Sequence, residues 1–102
     1  MSIGARPESS RVAIVSGAAR GLGKAFALRL AESGYSVLAF DIDKAVRELP
    51  VAATMVADQS LRTDVEKVIE AALLLGTINV LVNNAGKWKV SPVTSDWQTT
   101  LD

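Results

Sequence analysis

The sequence predicts an α/β fold, a doubly wound parallel sheet of about four strands, and three observations carry that expectation. Short apolar runs recur at 12–15, 35–40, 51–57 and 78–82. Their length and continuity are those of strands buried on both faces. Stretches with apolar residues at helical spacing separate the first run from the second and the third from the fourth. A turn carrying Gly17, Gly21 and Gly23 joins the first run to the first of these stretches. A strand, a helix and a further strand in the same sheet make the right-handed crossover of a parallel sheet.

Each element follows from its own residues. Residues 12–15, Val-Ala-Ile-Val, form the first strand. The helix over 21–33 places Leu22, Phe26 and Leu30 at spacing four, with Ala25 and Leu28 beside them, as its core-facing side. Lys24, Arg29 and Glu32 take the solvent side, and Gly34 stands where a helix stops. The second strand, 35–40, closes on Asp41. Residues 43–49 allow at most two helical turns before Pro50, with Asp43 as their cap. The third strand, 51–57, ends in Asp58. Ser60 is placed to cap a helix running to about Leu75, with Asp64 in its first turn. Leu61, Val65, Val68, Ile69 and Ala72 make its core stripe, and Gly76 ends it. The fourth strand, 78–82, runs into Asn83-Asn84-Ala85-Gly86.

Composition limits the chemistry. The chain has 102 residues, 49% of them hydrophobic, which is enough for one small domain with a core. Residues 1–10 read as a loose polar tail and 11–102 as the domain; the tail lacks the pattern of a secretory signal. Formal net charge is zero, which argues against a nucleic-acid or anionic-membrane partner. No apolar run is long enough for a membrane span, so the expected location is the cytoplasm. There is no cysteine and no histidine. That removes a disulfide framework, a thiolate nucleophile, and the commonest general base and metal ligand, and no metal site is expected.

The glycine-rich turn points to an anion. It delivers the chain to a helix N-terminus, where first-turn N–H groups lack partners and the macrodipole is positive. Glycines without Cβ atoms let a pyrophosphate approach the backbone. A P-loop does not fit, because Ala18 holds the position of its first glycine and Ala25 follows Gly23-Lys24. The spacing G-x-G-x-x-G does not fit either. Asp41 lies twenty residues after Gly21, where a carboxylate can accept hydrogen bonds from an adenosine ribose. Such a group repels a 2′-phosphate and favours NAD over NADP, whereas Arg20 beside the turn could pair with that phosphate. Asp41 also fits the part of a turn residue.

The motif Ser16-Gly17-x-x-x-Gly21-x-Gly23, with Asn-Asn-Ala-Gly directly after the fourth strand, resembles the two signatures of the short-chain dehydrogenase/reductase family. Ser16 occupies a slot that is threonine in the family pattern. The resemblance covers the chain after its tail. It implies a partial Rossmann-like sheet in strand order 3-2-1-4 and an NAD(P) cofactor. It further implies cofactor contacts from Ser16, Gly17, Arg20, Gly21, Leu22, Gly23, Asp41, Asp58, Asn84, Ala85 and Gly86. Asp58 takes the slot of an acidic residue that holds the adenine amino group, and it equally fits a turn or cap. Trp88 reads as a packing residue or as cover for the nicotinamide side.

The family's chemistry needs a Tyr-x-x-x-Lys pair, a serine and often an asparagine. The one tyrosine, Tyr35, is followed four residues later by Ala39, so no catalytic residue is assigned here. Ser95 and Gln98 form a capping box, and the chain ends at Asp102 inside the helix it would start, which reads as truncation. Two expectations stand. In one, the chain is the NAD-binding part of an oxidoreductase acting on a small alcohol or carbonyl substrate, the complete enzyme being a homo-oligomer, dimer or tetramer. In the other, it is a nucleotide-binding or interaction module without catalysis.

Overall fold

A computed structural model describes residues 10–84 of the chain. The expectations for Ala85, Gly86, Trp88 and the Ser95–Gln98 capping box lie outside the described residues, as do those for residues 1–9 of the tail. Among the described residues four strands and two α-helices follow in the order β1 (Arg11–Ser16), α1 (Gly21–Glu32), β2 (Ser36–Asp41), β3 (Ala53–Val56), α2 (Arg62–Leu75) and β4 (Thr77–Val82). A 3-10 turn, Lys44–Glu48, lies between β2 and β3. The strands pair in the order β3-β2-β1-β4, all parallel, so the expected order 3-2-1-4 is observed.

The apolar runs of β1 and β2 are continuous because both faces of the sheet are covered. Alternate β1 residues point to opposite sides. Ala13 and Val15 join Val37, Ala39, Val46, Leu49 and Ala27 on the α1 side. Val12 and Ile14 join Leu38, Phe40, Val68 and Ala72 on the α2 side. Each large side chain buried this way contributes about 1.5–3 kcal/mol. Gly34 ends α1 as expected: at φ +99° its N–H reaches the carbonyl of Ala31 while that of Tyr35 reaches Leu30.

Four local expectations are corrected. The buried stripe of α1 is Gly23 and Ala27, with Leu30 and Ala31 packed beside them. Leu22, Ala25 and Phe26 are exposed. The helix lies so close to the turn before it that only small residues fit beneath, which leaves the bulky ones on its flank. On α2, Val68 and Ala72 are buried, whereas Leu61 and Ile69 are exposed. Ser60 does not cap α2. Leu61 stands at the N-cap position without a side-chain bond, and the Ser60 N–H and hydroxyl both turn back to Asp58 Oδ1. β3 is also shorter than expected, pairing only Ala53–Val56 with β2.

Candidate functional site

Parallel strands bring their carboxyl ends to one edge of the sheet. β1 sends its crossover to β2 on one side and pairs with β4 on the other, so a crevice opens where the winding reverses. A cleft of about 380 Å³ lies there. Gly17, Phe40, Asp41 and Ile42 form part of its wall, and Ala57, Asp58, Gln59, Ser60 and Asn84 complete it. That volume is in the range of small-molecule sites.

The glycines divide their work. Gly17 and Gly21 have φ of 63° and 61°, a backbone region that glycine reaches without strain. A Cβ at Gly21 would meet nothing within 4 Å, so its backbone faces open space. A Cβ at Gly23 would lie 2.0 Å from the Gly17 carbonyl oxygen and 2.8 Å from Asn84 Nδ2. Gly23 is therefore the packing glycine that seats α1 on the turn, and Gly17 and Gly21 shape the open side. No side chain caps α1, and no acidic residue stands in its first turn. Its N-terminal N–H groups remain available to an anion.

Asp41 is tied to the glycine turn itself. Its Oδ2 accepts from the Ala19 N–H at 2.9 Å and its Oδ1 from the Asp43 N–H at 3.0 Å. The Ala18 N–H adds a bond to the Phe40 carbonyl. The carboxylate thus positions the turn and still lines the cleft. Two oxygens offer about four acceptor sites, so capacity remains for ribose hydroxyls. Asp58 is held similarly: Ser60 donates to it through both hydroxyl and N–H, which draws its carboxyl below the ordinary range. The Asp58 N–H in turn donates to Asp64 Oδ2, which fixes the loop to the start of α2.

Ser16 plays a different part from its neighbours. It is 1% exposed. Its hydroxyl accepts from the Asn84 N–H at 2.8 Å and lies 3.3 Å from the Val82 carbonyl and 3.2 Å from Asn83 Oδ1. It ties the end of β1 to the end of β4 and braces the site from beneath. Leu22 is exposed beside the turn, and Arg20 forms an ion pair with Asp43. Two features escaped the sequence reading. Ile42 is 69% exposed and lines the cleft. Its signal was an apolar residue set between two aspartates just beyond a strand end. The sequence makes Asp43 a cap, and it does accept from the Ala45 N–H. Its hold on Arg20 depends on how two loops meet, which no local pattern reports. Among the described residues no group of three or more acidic side chains is arranged to hold a metal, and no helix is long and apolar enough to cross a membrane.

Comparison with known proteins agrees with this fold. A family model described as short chain dehydrogenase matches residues 11–102. The chain is 35% identical to a diacetyl reductase, (S)-acetoin forming, of Staphylococcus epidermidis over 82% of this chain and 37% of that protein. It is 37% identical to a hydroxyacyl-CoA dehydrogenase of Mycobacterium tuberculosis over 76% of this chain and 29% of that protein. Among solved structures, a 3-ketoacyl-(acyl-carrier-protein) reductase of Brucella melitensis complexed with NADH superposes with a TM-score of 0.68 at 35% identity, covering 79% of this chain and 36% of that one. An actinorhodin polyketide ketoreductase with NADPH gives 0.68 at 32% identity, covering 76% and 34%. The chain spans roughly a third of the length of these relatives. With its glycine turn, its strand order and this agreement of sequence and fold, the chain belongs to the short-chain dehydrogenase family.

Proposed function

We propose that this chain binds NAD and forms the cofactor-holding part of an oxidoreductase that moves hydride between a nicotinamide and an alcohol or carbonyl carbon of a small substrate. The observation that carries the proposal is the uncapped start of α1 opening beside a cleft whose wall holds Asp41, Asp58 and Asn84. The backbone at Gly17 and Gly21 and the first turn of α1 would hold the pyrophosphate. Asp41 would accept from the ribose hydroxyls and Asp58 from the adenine amino group, with Ile42 as an apolar wall. Asn84, Ala85 and Gly86 would border the cofactor beyond β4. When bound, the dinucleotide supplies a hydride donor or acceptor; these residues bind and orient it. The relatives solved with NADH and with NADPH support a nicotinamide cofactor. NAD rather than NADP is supported by the Asp41 carboxylate in the cleft wall, which a 2′-phosphate would meet as a like charge.

Calorimetric titration with NAD and NADP tests the reading. NAD should bind more tightly, and Asp41→Asn should lower the NAD-to-NADP affinity ratio by about tenfold or more. Absence of binding to either dinucleotide would refute the proposal.

A further inference from the structure

Arg20 and Asp43 stand at the two ends of one small framework. The carboxylate of Asp41 accepts from the N–H of Ala19, next to Arg20, and from the N–H of Asp43 itself. The glycine turn and the loop after β2 are thereby held together. Across that junction the Arg20 guanidinium pairs with Asp43 Oδ2. Asp43 Oδ1 is meanwhile engaged by the Ala45 N–H at 2.9 Å, which fixes the carboxylate in place. The pair sits at the surface, with the side chain of Arg20 75% exposed and that of Asp43 39% exposed.

We propose that Asp43 is a specificity-determining residue for the nucleotide: by pairing with Arg20 it occupies the cation that a 2′-phosphate on the adenosine ribose would otherwise recruit. The inference rests on the dinucleotide reading above and extends it. The chemistry is a competition between two anions for one guanidinium. A phosphate monoester carries more charge than a carboxylate and matches the guanidinium fork at least as well. To bind, it must displace Asp43, which remains nearby as a second negative charge. Rejection of the phosphorylated nucleotide is thus built from two parts. Asp41 repels it from the cleft wall, and Asp43 withholds the compensating cation. Such a repulsive or sequestering element is a usual component of specificity. The opposing site is an exposed pair, so its effect is modest: releasing Arg20 is expected to change affinity about fivefold rather than a hundredfold.

The test is titration of the full-length protein with NAD and with NADP in four forms: wild type, Asp43→Asn, Arg20→Gln and the double variant. Asparagine keeps the Oδ1 acceptor for Ala45, so the loop should hold. Asp43→Ser, which also retains an acceptor at this position, serves as an independent second variant should Asp43→Asn not fold. Asp43→Asn should tighten NADP binding about fivefold and leave NAD affinity within about twofold. In the Arg20→Gln background the same substitution should change NADP affinity less than about twofold. An unchanged NADP-to-NAD ratio in both Asp43 variants would overturn the proposal. So would a gain that persists without Arg20, because simple relief of repulsion would then explain it. If wild type binds neither dinucleotide, the reading of the cleft itself falls; if it binds NAD and the Asp43 variants are silent, only the role of Asp43 falls.

Discussion

A single added carbon distinguishes the two kinds of glycine in the turn. At Gly23 it would lie 2.0 Å from backbone oxygen, an obstacle that cannot rotate away. Gly23→Ala should therefore lift α1 off the turn, destabilise the domain by about 1–3 kcal/mol and abolish dinucleotide binding. Paired chemical melts and titrations would show both losses; a variant with unchanged stability would mean that the helix does not seat here. The aspartates at the strand ends give a pH signature. Asp43 is drawn below the ordinary carboxylate value mainly by the Ala45 N–H and further by Arg20, and Asp58 mainly by the Ser60 hydroxyl. A lowered folded-state value means that the stabilisation is present above the unfolded-state value and lost as pH falls through the folded one. Stability should hold down to about pH 4 and decline below it. Thermal melts across that range would record the decline, and Asp58→Asn should show a shallower one. Among these residues the place of Asp41 was legible in the sequence, because it closes β2 at a telling distance from the turn. The bracing role of Ser16 was not, since its partner Asn84 is 68 positions away.

The strands were legible from apolar continuity and the helix ends from glycine. Gly34 closes α1 in the predicted manner. What hydropathy misassigned was part of the inner face of each helix: Leu30, Val68 and Ala72 pack as expected, whereas Leu22, Phe26, Leu61 and Ile69 are exposed. On α1 the contact surface is made by Gly23 and Ala27, whose small side chains carry little hydrophobic weight and whose value is the close approach they permit. Phe26 looked like an anchor and is 39% exposed. On α2 the apolar residues outnumber the places on the sheet, so Val68 and Ala72 pack while Leu73 and Leu74 remain outside. This separates elements that support the fold from those that merely look apolar. Leu38, at 0% exposure in the centre of β2, should cost about 2–5 kcal/mol when truncated to alanine. Leu74→Ala, at 81% exposure, should stay within about 0.5 kcal/mol. Urea denaturation of the two variants would distinguish them, and equal losses would mean that Leu74 has a partner.

At the scale of the molecule, the sheet has a working edge and an opposite edge. The cleft lies at the carboxyl ends of the strands. Tyr35 lies at the other end, just before β2, with the Arg11 guanidinium 4.6 Å from its ring centre. A phenol there cannot serve a substrate at the glycine turn. The 102-residue chain should therefore bind NAD without oxidising or reducing a substrate, and absorbance of reduced nicotinamide would check this. Sustained turnover by pure protein would show a proton donor that the family pattern does not include. The bond between Ser16 and Asn84 has a consequence for how the molecule comes into being. Its two halves are among the first and last described residues to be synthesised, so a ribosome that has released only β1, α1 and β2 displays a glycine turn with no floor. A nucleotide held at the turn would find that floor only once the fourth strand has emerged and docked, and would then act as a clasp between the two strands.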